Sequence, residues 1–316
     1  MSRRGWALFL AMAVIWGIPY LLIRVAVRQL DPGVMVLFRT GPAAVLLMPI
    51  VIAQGHFQVL VRNFKWIAAF AIVEFGIPWY FMATAERHIS SSLTSLLICC
   101  VPLLAVLVQR LRRTEEHISR QRYFGLGIGA VGVALLVGLD LRGGSITWIA
   151  MMMIVVLGYC IGPILLATKL SHVPGVAVVA GATAFVAVCW LPWAIVHWPT
   201  HVSGETFSCM AVLSVVCTAT GFLVFFELVK EVGSSRSVVV TYFNTAIAVV
   251  LGVVGLHETL TAGIAFGFPL VLVGCIFATS RPKEPASQSE AASEAQSELA
   301  GEFGRDLDHA IDQQPE

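Results

Sequence analysis

Apolar residues run along the chain in long stretches that are separated by short polar segments. A helix needs about 20 mostly apolar residues to cross a bilayer. Eight stretches carry no charged residue: Gly5–Ile23, Ile89–Gln109, Tyr123–Leu139, Gly143–Thr168, Val173–Ile195, Thr206–Phe226, Ser237–Leu256 and Thr259–Ser280. Two more, 33–53 and 66–85, are interrupted once each, by Arg39 and by Glu74. The pattern predicts an all-α integral membrane protein with ten transmembrane helices.

The composition supports this prediction and limits the classes of function. Of the 316 residues, 58% are hydrophobic and 12% are charged, whereas soluble domains carry about 25% charged residues. The short connections leave no room for a soluble catalytic domain, so we expect no enzyme, no cofactor and no metal site. The first stretch follows Arg3 and Arg4 as a signal peptide would. It is too long and lacks a small-residue cleavage site, so we expect a retained helix.

The basic residues predict the orientation. If the chain starts in the cytoplasm and alternates sides, fourteen Lys and Arg residues face the cytoplasm, and three, Arg28, Arg87 and Arg142, face the opposite side. This positive-inside bias predicts that both termini are cytoplasmic, in a multi-pass protein of the cell membrane. Because topology explains the basic residues, nucleic-acid binding is not expected. The expected partners are membrane lipids and a small-molecule substrate.

The last segment, 281–316, differs from the rest. It holds nine acidic and three basic residues and is rich in Ser, Glu, Ala and Gln. Such a segment buries too little apolar surface to fold alone. We therefore predict an acidic, disordered cytoplasmic tail.

The two halves of the chain share residues in register. The matches, all 142 to 144 residues apart, include Pro19 with Pro163, Pro32-Gly33-Val34 with Pro174-Gly175-Val176, Ser90 with Ser234, Glu116 with Glu258, and Gly132 with Gly274. They predict one repeat over 1–140 and a second over 141–280. Because each repeat has five helices, an odd number, the second copy is predicted to be inverted. Inverted repeats are a recurring plan of secondary transporters, whose substrate site lies near the bilayer midplane.

These residues resemble a known family. The order of Trp16-Gly17, Arg24, Asp31-Pro32 and Arg39 is similar to the opening of an EamA domain, and Glu258 followed by Gly267 and Gly274 resembles its repeat ending. The EamA family belongs to the drug/metabolite transporter superfamily. The resemblance implies ten helices in an inverted repeat and a bacterial carrier of the cytoplasmic membrane, often an exporter of amino acids or related metabolites.

The second half departs from that pattern. Thr168 stands where Arg24 would be expected, and no arginine of the seventh span matches Arg39. Any charged site is therefore predicted to be asymmetric.

Charged residues inside spans are costly and are candidates for function. Glu74 lies about 12–14 Å into the third span, near the midplane. It is either a proton or substrate-amine site or a structural carboxylate. Arg39 lies nearer the outer face and either binds substrate or snorkels to the surface. Arg24, at the end of the first span, is expected to snorkel.

Polar side chains and prolines inside spans complete the set of candidates. Residues that could line a substrate or proton pathway are Trp16, Tyr20, Trp79, Tyr80, Tyr159, Tyr242 and Asn244, although packing explains most aromatic residues in such places. Pro19 and Pro163 are candidates for helix breaks because they are equivalent in the two repeats.

Two apparent motifs are set aside. Gly127-x-Gly129-x-x-Gly132 lies inside an apolar span without a preceding strand, so it predicts helix packing and not a nucleotide site. Ligand-like spacing also relates His197, His201 and Glu205, but Pro199 interrupts the helix that would align them.

Together these residues predict a secondary transporter for a small polar metabolite, such as an amino acid. Arg39 would bind a carboxylate and Glu74 an ammonium group, with proton antiport if Glu74 takes up a proton when no substrate is bound. The alternative is a lipid-headgroup flippase or a small membrane-embedded enzyme.

Overall fold

A computed structural model describes residues 2–111, 120–140, 145–232, 237 and 239–279. These residues form helices and connections, with no strand among them. The predicted tail belongs to a separate unit, Ser280–Glu316, and lies outside the described residues.

The apolar helices, labelled α1 to α10 in chain order, are Arg3–Ala26, Pro32–Ala53, Phe64–Ala85, Ser91–Val108, Arg120–Asp140, Ser145–Lys169, Gly175–Val196, Gly204–Val232, Val240–Leu256 and Ala262–Thr279. A short helix, Phe57–Arg62, precedes α3. Seven of the ten are long and apolar enough to cross a membrane. In α5, α9 and α10 the apolar part is shorter, so the number of ten spans remains a prediction.

Several of these helices are irregular. In α1 the helix is interrupted at Ile18, immediately before Pro19, because proline lacks the N–H group of a helical hydrogen bond. Two helices contain π-helical segments, Ile72–Gly76 in α3 and Val212–Thr220 in α8; such segments are frequent at functional sites. Pro163 differs from the expectation, since it lies inside a continuous helix.

The two halves of the chain pack against each other through paired helices. α2 lies along α7, α5 along α10, α3 against α6, and α1 against α8 and α9. The α5–α10 pair is close: a Cβ atom built on Gly274 would lie 2.5 Å from the Cα atom of Gly129. Only small residues permit this approach, as is common between membrane helices.

The outer surface of this bundle is apolar. Large hydrophobic side chains such as Val45, Val188 and Phe266 are more than half exposed. A water-soluble surface would not carry so many exposed apolar residues, whereas lipid tails accommodate them. The protein is a multi-pass membrane protein.

Candidate substrate and proton site

Arg39 lies on α2 and points into the protein. Its guanidinium carbon lies 3.7 Å from the centroid of the Trp79 ring on α3. Its Nε atom donates to the Thr218 hydroxyl at 3.1 Å. The Nη1 atom is buried and has no hydrogen-bond partner. Arg39 therefore does not snorkel to the surface, and part of its guanidinium remains unpartnered.

The π-helical segment of α8 makes two hydrogen bonds with Arg39. The Thr218 hydroxyl donates to the carbonyl of Leu213 at 2.9 Å, so its lone pairs are directed to Arg39. The Ser214 hydroxyl donates to the carbonyl of Arg39 at 2.9 Å. Neither residue is among those predicted from the sequence, although their spacing of four places them on one helix face.

Glu74 lies on the π-helical segment of α3. Its Oε2 atom is buried without a hydrogen-bond partner. The carboxylate packs against Gly162 of α6, where a Cβ atom would overlap Oε2. Glycine at this position thus makes room for the carboxylate. Protonation of the carboxyl group, or a cation bound beside it, would stabilise the unpartnered oxygen.

Two tyrosines lie near these charges. Tyr159 of α6 lies within electrostatic range of both Arg39 and Glu74 and is a neighbour of Trp79. Tyr20 of α1 is 7% exposed and lies within range of Arg39 and Tyr159. Five of the predicted residues therefore belong to one cluster, to which four helices contribute.

The space at this cluster is small. A cavity beside Arg39 has a volume of about 10 Å³, and Trp79, Met210 and Leu213 line part of it. That is about the room of one water molecule. A metabolite can enter only if the surrounding helices move apart. A larger groove, of about 360 Å³, lies between α3 and α7 and is lined by mostly apolar side chains, including Trp190 and Trp193.

The other predicted residues lie in helix packing. Tyr80 stacks on Trp190 at 4.7 Å between ring centroids, on the side of the larger groove. Trp16 packs against Phe222 and Phe225 of α8.

On α9, Asn244 is buried and accepts a hydrogen bond from Thr245 at 3.4 Å, while Tyr242 neighbours Cys275 of α10. Tyr242 thus lies at the contact between α9 and α10, whereas the hydrogen bond of Asn244 stays within α9.

Glu86, which directly follows the last residue of α3, is also absent from the residues predicted from the sequence. Its side chain is 0% exposed, and neither carboxylate oxygen has a hydrogen-bond partner. The guanidinium of Arg24 donates to the backbone carbonyl of Glu86, and its expected snorkelling stays a prediction. No pattern marked Glu86, because it precedes Arg87 and His88 in a polar connection.

Glu258, in the connection between α9 and α10, has the opposite surroundings. It accepts hydrogen bonds from the backbone N–H groups of Ser91 and Ser92 at 2.8 and 3.1 Å, and from their hydroxyl groups at 3.0 and 2.6 Å. We call this contact the Glu258 clasp. It caps the N-terminus of α4, where a negative charge is favoured, and it joins the two halves of the chain.

Within the described residues, no three His, Cys, Asp or Glu side chains are grouped so that they could hold a metal ion.

Comparisons with known proteins agree with this architecture. The chain is 24% identical to the uncharacterized inner membrane transporter YedA of Escherichia coli (strain K12), over 91% of this chain and 96% of YedA. It is 22% identical to the uncharacterized transporter YvbV of Bacillus subtilis (strain 168), over 88% and 92% of the two chains. A solved crystal structure shares the fold with a TM-score of 0.63 at 16% identity, over 88% of this chain and 98% of that one.

The model of the EamA-like transporter family matches the chain twice, over residues 3–138 and 146–280. The two matches cover both halves of the helical bundle and leave out the acidic tail. The chain belongs to the EamA-like transporter family and is a membrane transporter.

Proposed function

We propose that this transporter is an exporter of a small zwitterionic metabolite, such as an amino acid or a derivative, and that it exchanges the metabolite for protons. Arg39 binds the carboxylate and Glu74 binds the ammonium group. The observation that carries the proposal is the pair of unpartnered atoms, Arg39 Nη1 and Glu74 Oε2, in one closed cluster. Export is the direction that the family resemblance favours.

Arg39 suits a carboxylate for a physical reason. Its Nε atom and one face are already used by Thr218 and Trp79, so the guanidinium is held in place before a ligand arrives. A guanidinium binds a carboxylate through two parallel charge-assisted hydrogen bonds. A buried polar atom that has no partner costs about 1–3 kcal/mol, and binding substrate would recover this cost.

Glu74 suits the exchange of an ammonium group for a proton. An isolated ionised carboxylate is strongly disfavoured away from water, so Glu74 holds a proton when the site is empty. An arriving ammonium group stabilises the ionised form and releases the proton. Substrate and proton then occupy the site in turn, which is the requirement for antiport.

The arrangement of the chain supports alternating access. One helix from each predicted repeat takes part in every major pair, and the cavity at Arg39 holds about one water molecule. We therefore propose an inverted repeat over 1–140 and 141–280 that moves around this cluster, with both termini in the cytoplasm.

The test uses the purified protein in liposomes with radiolabelled neutral, basic and acidic amino acids. The wild type is expected to exchange neutral amino acids. Arg39→Gln is expected to reduce the exchange at least about a hundredfold, because an interaction with a charged partner is lost. Glu74→Gln is expected to remove the dependence on a pH gradient. Arg28→Gln and Glu205→Gln change exposed charges and serve as controls.

The same liposomes test the alternative function, that of a lipid-headgroup flippase. If the wild type moves the headgroup of a fluorescent lipid across the bilayer but exchanges no amino acid, the protein is a flippase and the proposal is wrong. If Arg39→Gln and Glu74→Gln keep the rate, the pH dependence and the substrate preference of the wild type, the two charges are structural and the proposal is wrong.

A further inference from the structure

Glu86 is a buried acid that the proposed exchange at Arg39 and Glu74 does not use. It follows the last residue of α3, and its carboxylate has neither solvent contact nor a hydrogen-bond partner. Its backbone is well held, since its N–H group bonds to Met82 and its carbonyl accepts from Arg24. The position is therefore ordered, while the carboxyl group itself is left without a partner.

The charged and titratable groups around Glu86 come from several elements. Those within electrostatic range are Arg24 and Tyr20 of α1, Arg39 of α2, Tyr159 of α6 and Glu258 of the α9–α10 connection. The next two residues of its own chain turn elsewhere: Arg87 donates to the carbonyl of Leu30, and His88 stacks on Trp148. Among these groups the structure gives no direct hydrogen bond to the Glu86 carboxyl.

The contrast with Glu258 decides which of the two acids carries the charge. Glu258 accepts four hydrogen bonds in the Glu258 clasp, and both of its carboxylate oxygens act as acceptors. A second negative charge near these acceptors, buried and unpartnered, would be strongly disfavoured. Glu86 is therefore neutral while the clasp is closed.

Opening this end of the bundle would change the state of Glu86. The clasp ties the connection after α9 to the first turn of α4, directly after the connection that holds Glu86. If these helix ends part, water reaches the carboxyl group, and the ionised form is stabilised by water and by Arg24. The proton that Glu86 held is then released.

We propose that Glu86 is a second proton-binding site, which holds a proton while the Glu258 clasp is closed and releases it when this end of the bundle opens. The proposal deepens the proposed function, because it adds a proton-controlled gate to the exchange at Arg39 and Glu74. In the topology that we predict, this end faces the outside of the cell.

The sign of the pH dependence follows from linkage. The closed state binds one proton more than the open state, so raising the pH favours opening, by at most about tenfold per pH unit. Protonation of Glu258 would have the opposite sign, because a lower pH would then weaken the clasp. The two acids can therefore be told apart.

The experiment measures hydrogen exchange at the backbone amides of Ser91 and Ser92, which the clasp protects, in the purified full-length protein over a range of pH. After correction for the intrinsic exchange rate, protection in the wild type is expected to fall as the pH rises. In Glu86→Gln the protection is expected to stay constant within about twofold, since no proton is exchanged. Glu205→Gln, which changes an exposed carboxylate, is expected to behave as the wild type.

Glu86→Asp keeps an ionisable group and is expected to retain a pH-dependent protection, so a general disturbance of the fold can be recognised. The proposal is overturned if the wild type shows no fall in protection, or if Glu86→Gln shows the same fall as the wild type. The measurement needs no substrate, so its outcome is separate from that of the exchange assays.

Discussion

Two acidic residues of this transporter lie in opposite surroundings. Glu258 meets four hydrogen-bond donors at the N-terminus of α4, whereas Glu74 has an unpartnered oxygen in the middle of α3. The first arrangement stabilises a permanent charge and holds two halves of the chain together. The second is unfavourable for a permanent charge and suits a group that takes up and releases a proton or a cation. The number of hydrogen-bond donors around each group thus distinguishes the carboxylate of Glu258, which joins two segments, from that of Glu74, which we propose to be functional.

Among the changes considered, removal of the hydrogen-bonded Glu258 carboxylate is expected to have the largest effect. Glu258→Ala leaves two backbone N–H groups and two hydroxyl groups without their acceptor, and we expect a loss of about 3 kcal/mol in the free energy of unfolding. Thermal unfolding in detergent measures the loss, with Glu258→Gln expected to keep part of the stability. Equal unfolding temperatures for the wild type and Glu258→Ala would show that the clasp is not structural.

Displacement of the Glu74 carboxylate, which has an unpartnered oxygen, should affect transport more than stability. In Gly162→Ala the added methyl group would overlap Glu74 Oε2, so the carboxylate must move. We expect exchange to fall by about tenfold, since misplaced catalytic or binding groups lose rate steeply. Gly127→Ala, which meets no atom within 4 Å, is the matched control. A wild-type rate in Gly162→Ala would mean that the position of Glu74 is unimportant.

A smaller effect is expected at the partner of Arg39. Thr218→Val keeps the shape of the side chain but removes the acceptor of the 3.1 Å hydrogen bond from Arg39 Nε. We expect the apparent KM to rise by about fivefold, equivalent to one hydrogen bond. Thr168→Val, at an exposed threonine, is the control. An unchanged KM would indicate that Trp79 alone holds the guanidinium.

The smallest effect is expected where charges are exposed. Arg4 pairs with Glu227 at 3.1 Å, but its side chain is 67% exposed. Exposed ion pairs contribute little because water and salt screen them. Arg4→Ala should change neither the unfolding temperature nor the exchange rate. A clear loss of exchange would reveal a gate at this end of the bundle.

Part of the candidate site could be predicted from the sequence. Arg39 and Glu74 stood out because each is the sole charge in a long apolar stretch, and burial of a charge is costly enough to be a signal. Their neighbours were harder to rank. Trp79 and Tyr80 are adjacent in the chain, yet the first lies under Arg39 and the second stacks on Trp190, because successive residues of a helix point in different directions.

Glu86 could not have been predicted. In the sequence it belongs to a polar connection with Arg87 and His88, which is typical of an exposed helix end. At this end of the bundle Arg24 of α1 donates to its carbonyl and the neighbouring His88 stacks on Trp148 of α6, so the packing of distant helices buries it. The sequence also could not distinguish the two prolines, since a helix break precedes Pro19 whereas Pro163 lies inside a continuous helix.

The sequence by itself determined that the chain is built of long apolar helices, the repeated order of residues and the positions of the two charges inside apolar stretches. These follow from the chain alone, because a helix in lipid satisfies its own backbone hydrogen bonds and needs a long apolar stretch, in which any charged residue stands out. Only the tertiary structure decided which polar groups meet. It placed Thr218 beside Arg39, Gly162 against Glu74 and the serines of α4 around Glu258. Such meetings depend on how helices distant in the chain pack together, and helix packing is set by shape across the whole bundle.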